Sequence, residues 1–346
     1  MSIAISIVIP TYNPGPKIVD AVESCFNQTF QDFEILLVNN HPSGSTLDIL
    51  APYLNGHPNK FRIIDEPRQG VCSARNRGIC EAKGLYIALL DHDDIMYPNR
   101  LKAQLAASEE HPEAALIHGL FDRVTPDNRY VLKKDNHSTP EFWRSLLFAP
   151  NSTLAQAPTV PPSVMFFKKE TAIRAKLFDE GFNPQWVEDS EFCLKMSEQG
   201  PFVHVNEALV RWRFHPEDYV TAREKSDLYI KLRNQDRLYR ILFHKYGSKK
   251  TQSAFRKIRG RWLREASFPL LPYRENRHMA CTLIRRSLHE NPLDPKTWKV
   301  WVRTCYPMSL WPSIFNFDEW VDERLPPHLD ESFVRTVFQS TPLPPE

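Results

Sequence analysis

Two hydrophobic periods alternate through the first 125 residues, and this alternation restricts the fold more than any other feature. ISIVIP (5–10), EILLVNN (34–40), FRIIDE (61–66), LYIALLD (85–91) and AALIHGLF (114–121) are short apolar runs of strand length. Between them, residues 16–28, 45–54, 71–83 and 98–109 carry helical spacing, the first with Pro16 at its start. Such alternation predicts an α/β fold with a mainly parallel, Rossmann-like sheet and helices on both faces. Ligands of these sheets bind beyond the carboxyl ends of the strands. Asn13, Asn39 and Asp91 all fall there.

The fourth run ends abruptly in charge: LYIALLDHDDIMYP places Asp91, His92, Asp93 and Asp94 directly after Leu90. Like charges this close raise one another's proton affinity and destabilise a fold unless something neutralises them. A hard divalent cation, Mg²⁺ or Mn²⁺, is the economical partner for such oxygens. Aspartates also belong in turns and at helix N-caps, so Asp94 is also readable as a cap for the helix near Pro98, with the metal reading favoured for the cluster.

Beyond residue 125 the pattern changes. Residues 126–160 are polar and Pro-rich and read as a loop with one short helix around 142–148. SVMFFKK (163–169) and ALVRWRFH (208–215) read as strands, and VEDSEFCLKMSEQG (187–200) as a helix closed by Gly200. From residue 222 the spacing is helical, with segments near 251–267, 275–290 and 295–306. The expected division is a catalytic-type unit over 1–221 and a mainly helical extension over 222–346, which 346 residues can support.

Net charge is +2, which argues against nucleic acid as a partner, but the average hides fourteen Lys/Arg against three Asp/Glu between Arg223 and Arg264. That segment is either a solvated helical face or a docking face for an anionic membrane, each basic residue at the surface contributing about 1 kcal/mol. MSIAISIVIP is too short and too weakly basic for a signal peptide and reads as the first strand. The six cysteines show no zinc-ligand spacing, so free thiols in a reducing cytoplasm are expected, with the basic segment at the inner membrane face.

Four segments in order, VIPTYN (8–13), QGVCSARNRG (69–78), LLDHDD (89–94) and WVEDSEF (186–192), resemble the family-2 glycosyltransferases of the GT-A fold. The likeness covers roughly residues 3–215, and D-x-D-D after an ARN-x-G helix is its most specific part. It implies an inverting transferase that moves a sugar from a nucleotide-diphosphate donor, UDP favoured, to the hydroxyl of a saccharide or lipid-linked acceptor in polysaccharide or glycoconjugate synthesis. Pro10, Thr11, Tyr12 and Asn13 match the loop that holds the base, although Tyr12 also suits a simple cover for the sheet end. Arg75 matches a residue that offers its guanidinium to base or phosphate, or serves as a surface ion-pair partner. Asp93 matches the direct Mn²⁺ or Mg²⁺ ligand, and Asp91 the contact to ribose or the metal's waters, with His92 between them. His215 falls where members carry a histidine near the diphosphate and the metal. Glu188 and Asp189 match the acidic pair, with Asp189 as general base, although acids also suit a helix N-terminus.

One position departs from the family. The second strand ends in Asn39-Asn40 where members carry Asp-Asp. An Asn accepts a base N–H through its carbonyl, but uncharged and with donors of its own. Two rivals remain: a phosphotransferase of the haloacid dehalogenase type, and a non-catalytic sugar- or cation-binding module. The first needs Thr or Val two beyond the second Asp and usually carries the motif at the first strand, whereas here it ends the fourth and is followed by Asp-Ile; the second gives no reason for Glu188-Asp189.

Overall fold

The computed structural model describes residues 3–40, 46–124, 130–134, 160–213, 225–246, 249–267, 270–271 and 277–304. Chain contacts divide the protein into two compact units: Met1–Trp143 with Pro158–His215, and Arg144–Ala157 with Pro216–Glu346. The sequence-based division at 221/222 lies a few residues further along. The short helix expected at 142–148 and the tail beyond 307 lie outside the described residues.

In the first unit, strands β1 (Ile5–Thr11), β2 (Phe33–Asn39), β3 (Phe61–Asp65) and β4 (Tyr86–Leu89) lie parallel in the order β3-β2-β1-β4. Every residue of β1, β2 and β4 is buried. That explains their dense apolar composition, because a strand covered on both faces has no solvent side to keep polar. Beyond β4 the sheet becomes mixed. Short β8 (Phe166–Lys168) pairs antiparallel with β4 and β6 (Leu116–Val124), and β6 runs parallel to β9 (Phe202–Arg213). β5 (Ile95–Met96) and β7 (Tyr130–Lys134) complete the nine strands of this sheet among the described residues. The sequence reading missed both, since one is two residues long and the other lies in a polar stretch.

Helices α1 (Ile18–Phe26), α2 (Thr46–Gly56), α3 (Val71–Glu81), α4 (Arg100–Glu110), α5 (Lys169–Arg174) and α6 (Glu188–Met196) pack around this sheet. α3 lies unusually close, because Gly78 brings its backbone onto Val8: a Cβ there would come within 2.3 Å of a Val8 methyl. The first residue of α4 is Arg100, and the residue before it, Asn99, makes no side-chain cap. Asp94 therefore does not cap this helix; it is buried and engaged elsewhere.

The second unit is helical where described: α7 (Lys225–Tyr246), α8 (Lys249–Ser267), α9 (Arg277–Glu290) and α10 (Pro295–Thr304). Leu238, Leu242, Leu263, Leu283, Ile284 and Val300 form its core. Part of the basic excess is consumed internally. Arg240 and Arg259 meet buried Asp236, Arg256 and Arg259 meet Glu290, and Arg264 meets Asp294. Among the described residues no helix is long and apolar enough to cross a membrane, and Cys25, Cys72, Cys80, Cys193 and Cys281 are free thiols.

Candidate active site

The site begins with the entry to α3. Gly70 takes φ +134°, and a Cβ on it would strike the Asn183 side chain at 2.2 Å. Asn40 fixes the approach: its amide donates to the carbonyls of Glu66 (2.8 Å) and Arg68 (2.9 Å), and its carbonyl accepts from the Gly70 N–H (2.7 Å). Asn40 is thus a loop clamp, and a carboxylate could not supply those two donors.

One turn into α3, Arg75 points inward, with only 3% of its surface exposed. One Nη donates to Asp91 Oδ1 and the other to Glu188 Oε1, both at 2.9 Å. Burial alone would lower its pKa, but Asp91 and Glu188 outweigh burial and raise it. A single guanidinium therefore spans two acidic motifs that lie far apart in sequence.

The DxD segment is a tight turn beyond β4, closed by the Asp94 N–H on the Asp91 carbonyl at 3.1 Å. The Ser163 hydroxyl accepts from the Asp91 N–H and donates to Asp94. Arg213, at the end of β9, donates its backbone N–H to Asp94 Oδ1 and a guanidinium N–H to the Asp93 carbonyl, each at 2.9 Å, and pairs with Asp20. Beneath the turn, fully buried Arg100 donates to the carbonyls of Leu89 and Met165. Burial lowers its pKa to about 10. Even so, Asp94 is pushed well above the usual carboxylate range by burial and then by Asp93 and Asp91. Asp91, His92 and Asp93 remain partly open.

Glu188 and Asp189 open α6 behind Trp186 and Val187, which hold φ of +92° and +58°. Val187 occupies the N-cap position without a side-chain cap, so Asp189 is not the capping residue. Its carboxylate accepts from the Ser190 N–H at 2.7 Å. Its pKa rises to about 7, first through burial and then through Glu188, with Arg75 opposing. The side chain nonetheless keeps some exposed surface. A partly accessible carboxyl whose proton affinity is raised in this way is chemically able to accept a proton near neutral pH.

At the carboxyl edge of the parallel strands, Pro10 and Thr11 end β1, Tyr12 is exposed and Asn13 takes φ +47°. Asn39 ends β2 and donates to Asp65 Oδ1 at 2.9 Å. Asp65, which ends β3 and is exposed, thus stands a carboxylate beside the asparagine. His215 lies outside the described residues. Sequence reasoning missed Asp65, Ser163, Arg100 and Arg213. None of the four stands in a sequence motif, and Arg213 shares its strand face with exposed Arg211, so alternation gave no sign that it is buried.

Among the described residues no three His, Cys, Asp or Glu side chains group as a metal-binding cluster. The donor set still fits Mg²⁺ or Mn²⁺, because such ions commonly take one or two carboxylates and complete their shell with water and substrate phosphates. Asp91 and Asp93 are hard-oxygen donors at an accessible edge, and Asp94 lies buried behind them.

An open α/β sheet with two acidic motifs at its carboxyl edge defines the architecture of a GT-A glycosyltransferase. Residues 6–181 match the family described as Glycosyl transferase family 2, and the chain belongs to that family. It is 31% identical over 204 residues to a chondroitin synthase of Pasteurella multocida, covering 58% of this chain and 20% of that one. It is 29% identical over 226 residues to a chondroitin synthase of Escherichia coli, covering 65% and 30%. The chain therefore spans less than a third of these relatives' length. In fold it is similar to S. aureus TarS 1–349 in complex with UDP, with a TM-score of 0.56 at 18% identity over 91% of this chain and 87% of that one.

Proposed function

We propose that the protein is an inverting transferase that moves a sugar from a UDP-sugar to an acceptor hydroxyl, with Asp189 as the base. The observation that carries this reading is the Arg75 bridge, which brings the DxD turn and the Glu188-Asp189 pair into one site. The acceptor hydroxyl gives its proton to Asp189 as its oxygen bonds to the anomeric carbon. The anomeric C–O bond to the diphosphate breaks on the opposite face, so the configuration inverts. Tyr12 offers a ring face to the base, and Asn39 and Asp65 offer acceptors to a base N–H. Asp93 and Asp91 would hold Mn²⁺ or Mg²⁺, with His215 the further candidate ligand. When bound, the ion supplies the Lewis acidity that neutralises the leaving diphosphate.

Binding of UDP in the TarS complex supports UDP as the nucleotide. The names of the Pasteurella and E. coli relatives support a polysaccharide or glycoconjugate product. A lipid-linked acceptor, presented to the basic helices at an anionic membrane surface, belongs to the same proposal. The test is a thermal-shift panel of nucleotides with and without Mn²⁺. UDP should raise Tm only with the metal, by the mass-action increment expected of a ligand specific to the folded state. Equal stabilisation by every nucleotide, or by none, would overturn it.

A further inference from the structure

Arg75 is more deeply built into the site than a nucleotide-contacting residue needs to be. Both Nη atoms are taken by carboxylates, its Nε is buried without a hydrogen-bond partner, and its guanidinium lies 5.3 Å from the Phe178 ring. Phe178 in turn stacks on Phe192 of α6 at 4.0 Å between centroids. The next residue of α3, Asn76, exchanges two hydrogen bonds of 2.9 Å with the Phe178 backbone. α3 is therefore fastened both to the DxD turn and to the helix that carries the catalytic pair. A lysine has one ammonium and cannot reproduce this two-armed planar contact.

We infer that Arg75 is a positioning residue that couples the donor end of the site to the acceptor end, holding Asp91 and Glu188 on one guanidinium so that occupancy at Asp91 is felt at Asp189. The inference rests on the proposed transferase reading for its donor and base. A ligand that draws the Asp91 carboxylate away leaves Arg75 wholly to Glu188. The negative charge of Glu188 is then better screened, and that charge is what faces Asp189. The charged and titratable groups acting on Asp189 are Glu188, Arg75 and the Cys193 thiol. The coupling is reciprocal: whatever donor binding does to proton affinity at Asp189, the protonation of Asp189 does to donor affinity by the same factor. The base is thus released most readily when the donor is in place.

The test reads Asp189 directly. In protein labelled with ¹³C at aspartate carboxyls, the Asp189 signal is assigned by its loss in Asp189→Asn and followed against pH with and without UDP and Mg²⁺. The wild-type midpoint should lie near neutrality and fall when UDP and Mg²⁺ bind. In Arg75→Met it should rise by about one pH unit, a tenfold gain in proton affinity, and lose its response to UDP. Arg75→Lys keeps a cation should the methionine variant fold poorly, and should still lose the response to UDP. An unmoved midpoint in Arg75→Met, or a UDP response retained in Arg75→Lys, overturns the coupling. Loss of UDP affinity in Arg75→Met with an unmoved midpoint also overturns it, and leaves Arg75 as a nucleotide ligand alone. Failure of the wild type to bind UDP would instead count against the transferase reading, while the rise in Arg75→Met is read without any nucleotide.

Discussion

Each unit of the chain surrounds buried carboxylates with arginines, but the leftover charge has opposite sign. In the helical unit, Asp236 meets Arg240 and Arg259 at 2.7 Å, while Glu290 takes Arg259 and Arg256. Cations outnumber anions there, and the arginine side chains remain 26–47% exposed, so water carries the excess. In the sheet unit, Asp91, Asp93, Asp94, Glu188 and Asp189 share Arg75 and Arg213, which are nearly sealed from solvent. The excess is negative and poorly solvated, and it appears as raised proton affinity at Asp94 and Asp189. A buried ion pair therefore says little about role by itself. What distinguishes a structural network from a reactive one is whether the residual charge has somewhere to go.

The sharpest way to break this contrast is to remove an open carboxylate from the acidic turn. Asp93→Ala should abolish turnover and metal-dependent UDP binding, while the unliganded protein keeps its melting temperature or gains a little. Near-normal activity in the presence of a chelator would refute the metal assignment. Next in size is Asp189→Asn, which keeps the shape but removes the base. Transfer should fall about 10²-fold or more, while UDP affinity by calorimetry falls only by the factor that links Asp189 protonation to the donor. The product of the wild type should show an inverted anomeric centre.

The same variant carries a pH signature. Asp189 has a folded pKa of about 7 against a usual 3.8, so the folded state holds its proton more tightly than the unfolded chain does. Stability from this group is therefore full below about pH 4 and declines as pH rises to about 7. Asp189→Asn should be more stable than wild type at pH 8, and the difference should shrink towards pH 4. Chemical denaturation at the two pH values checks this; a wild type more stable than the variant at pH 8 would contradict the burial account.

The smallest effect is expected in the helical unit. Asp236→Asn removes the anion that Arg240 and Arg259 share but leaves those partly exposed arginines hydrated. It should cost about 2 kcal/mol in urea unfolding and leave metal-dependent UDP binding intact. Loss of UDP binding at full stability would mean that the two networks are not as different in kind as their charges suggest.

Legibility in the sequence followed local pattern. β1, β2 and β4 could be read because burial on both faces forces a continuous apolar run, and their carboxyl ends located Asn13, Asn39 and the acidic turn. β9 was underestimated: it runs from Phe202 to Arg213, with exposed Asn206 and Glu207 interrupting any apolar run. The acidic motifs could be read as motifs. Their connection through Arg75 could not, because 113 residues separate it from Glu188 and no local spacing encodes that contact. Ser163 and Arg213 escaped for the same reason, as partners supplied by a distant 3-10 turn and a distant strand. Asn40 is the instructive case: it reads as a lost acidic residue, yet it serves as a gain of two donors.

The backbone at Trp186 and Val187 sets stability against position. Two successive non-glycine residues in left-handed conformation, one of them β-branched, cost about 1–3 kcal/mol each. A glycine at position 187 would relieve part of that cost. It would also loosen the step that sets Glu188 and Asp189 on the first turn of α6. Stability and the placement of the acidic pair thus make opposite demands on this one residue.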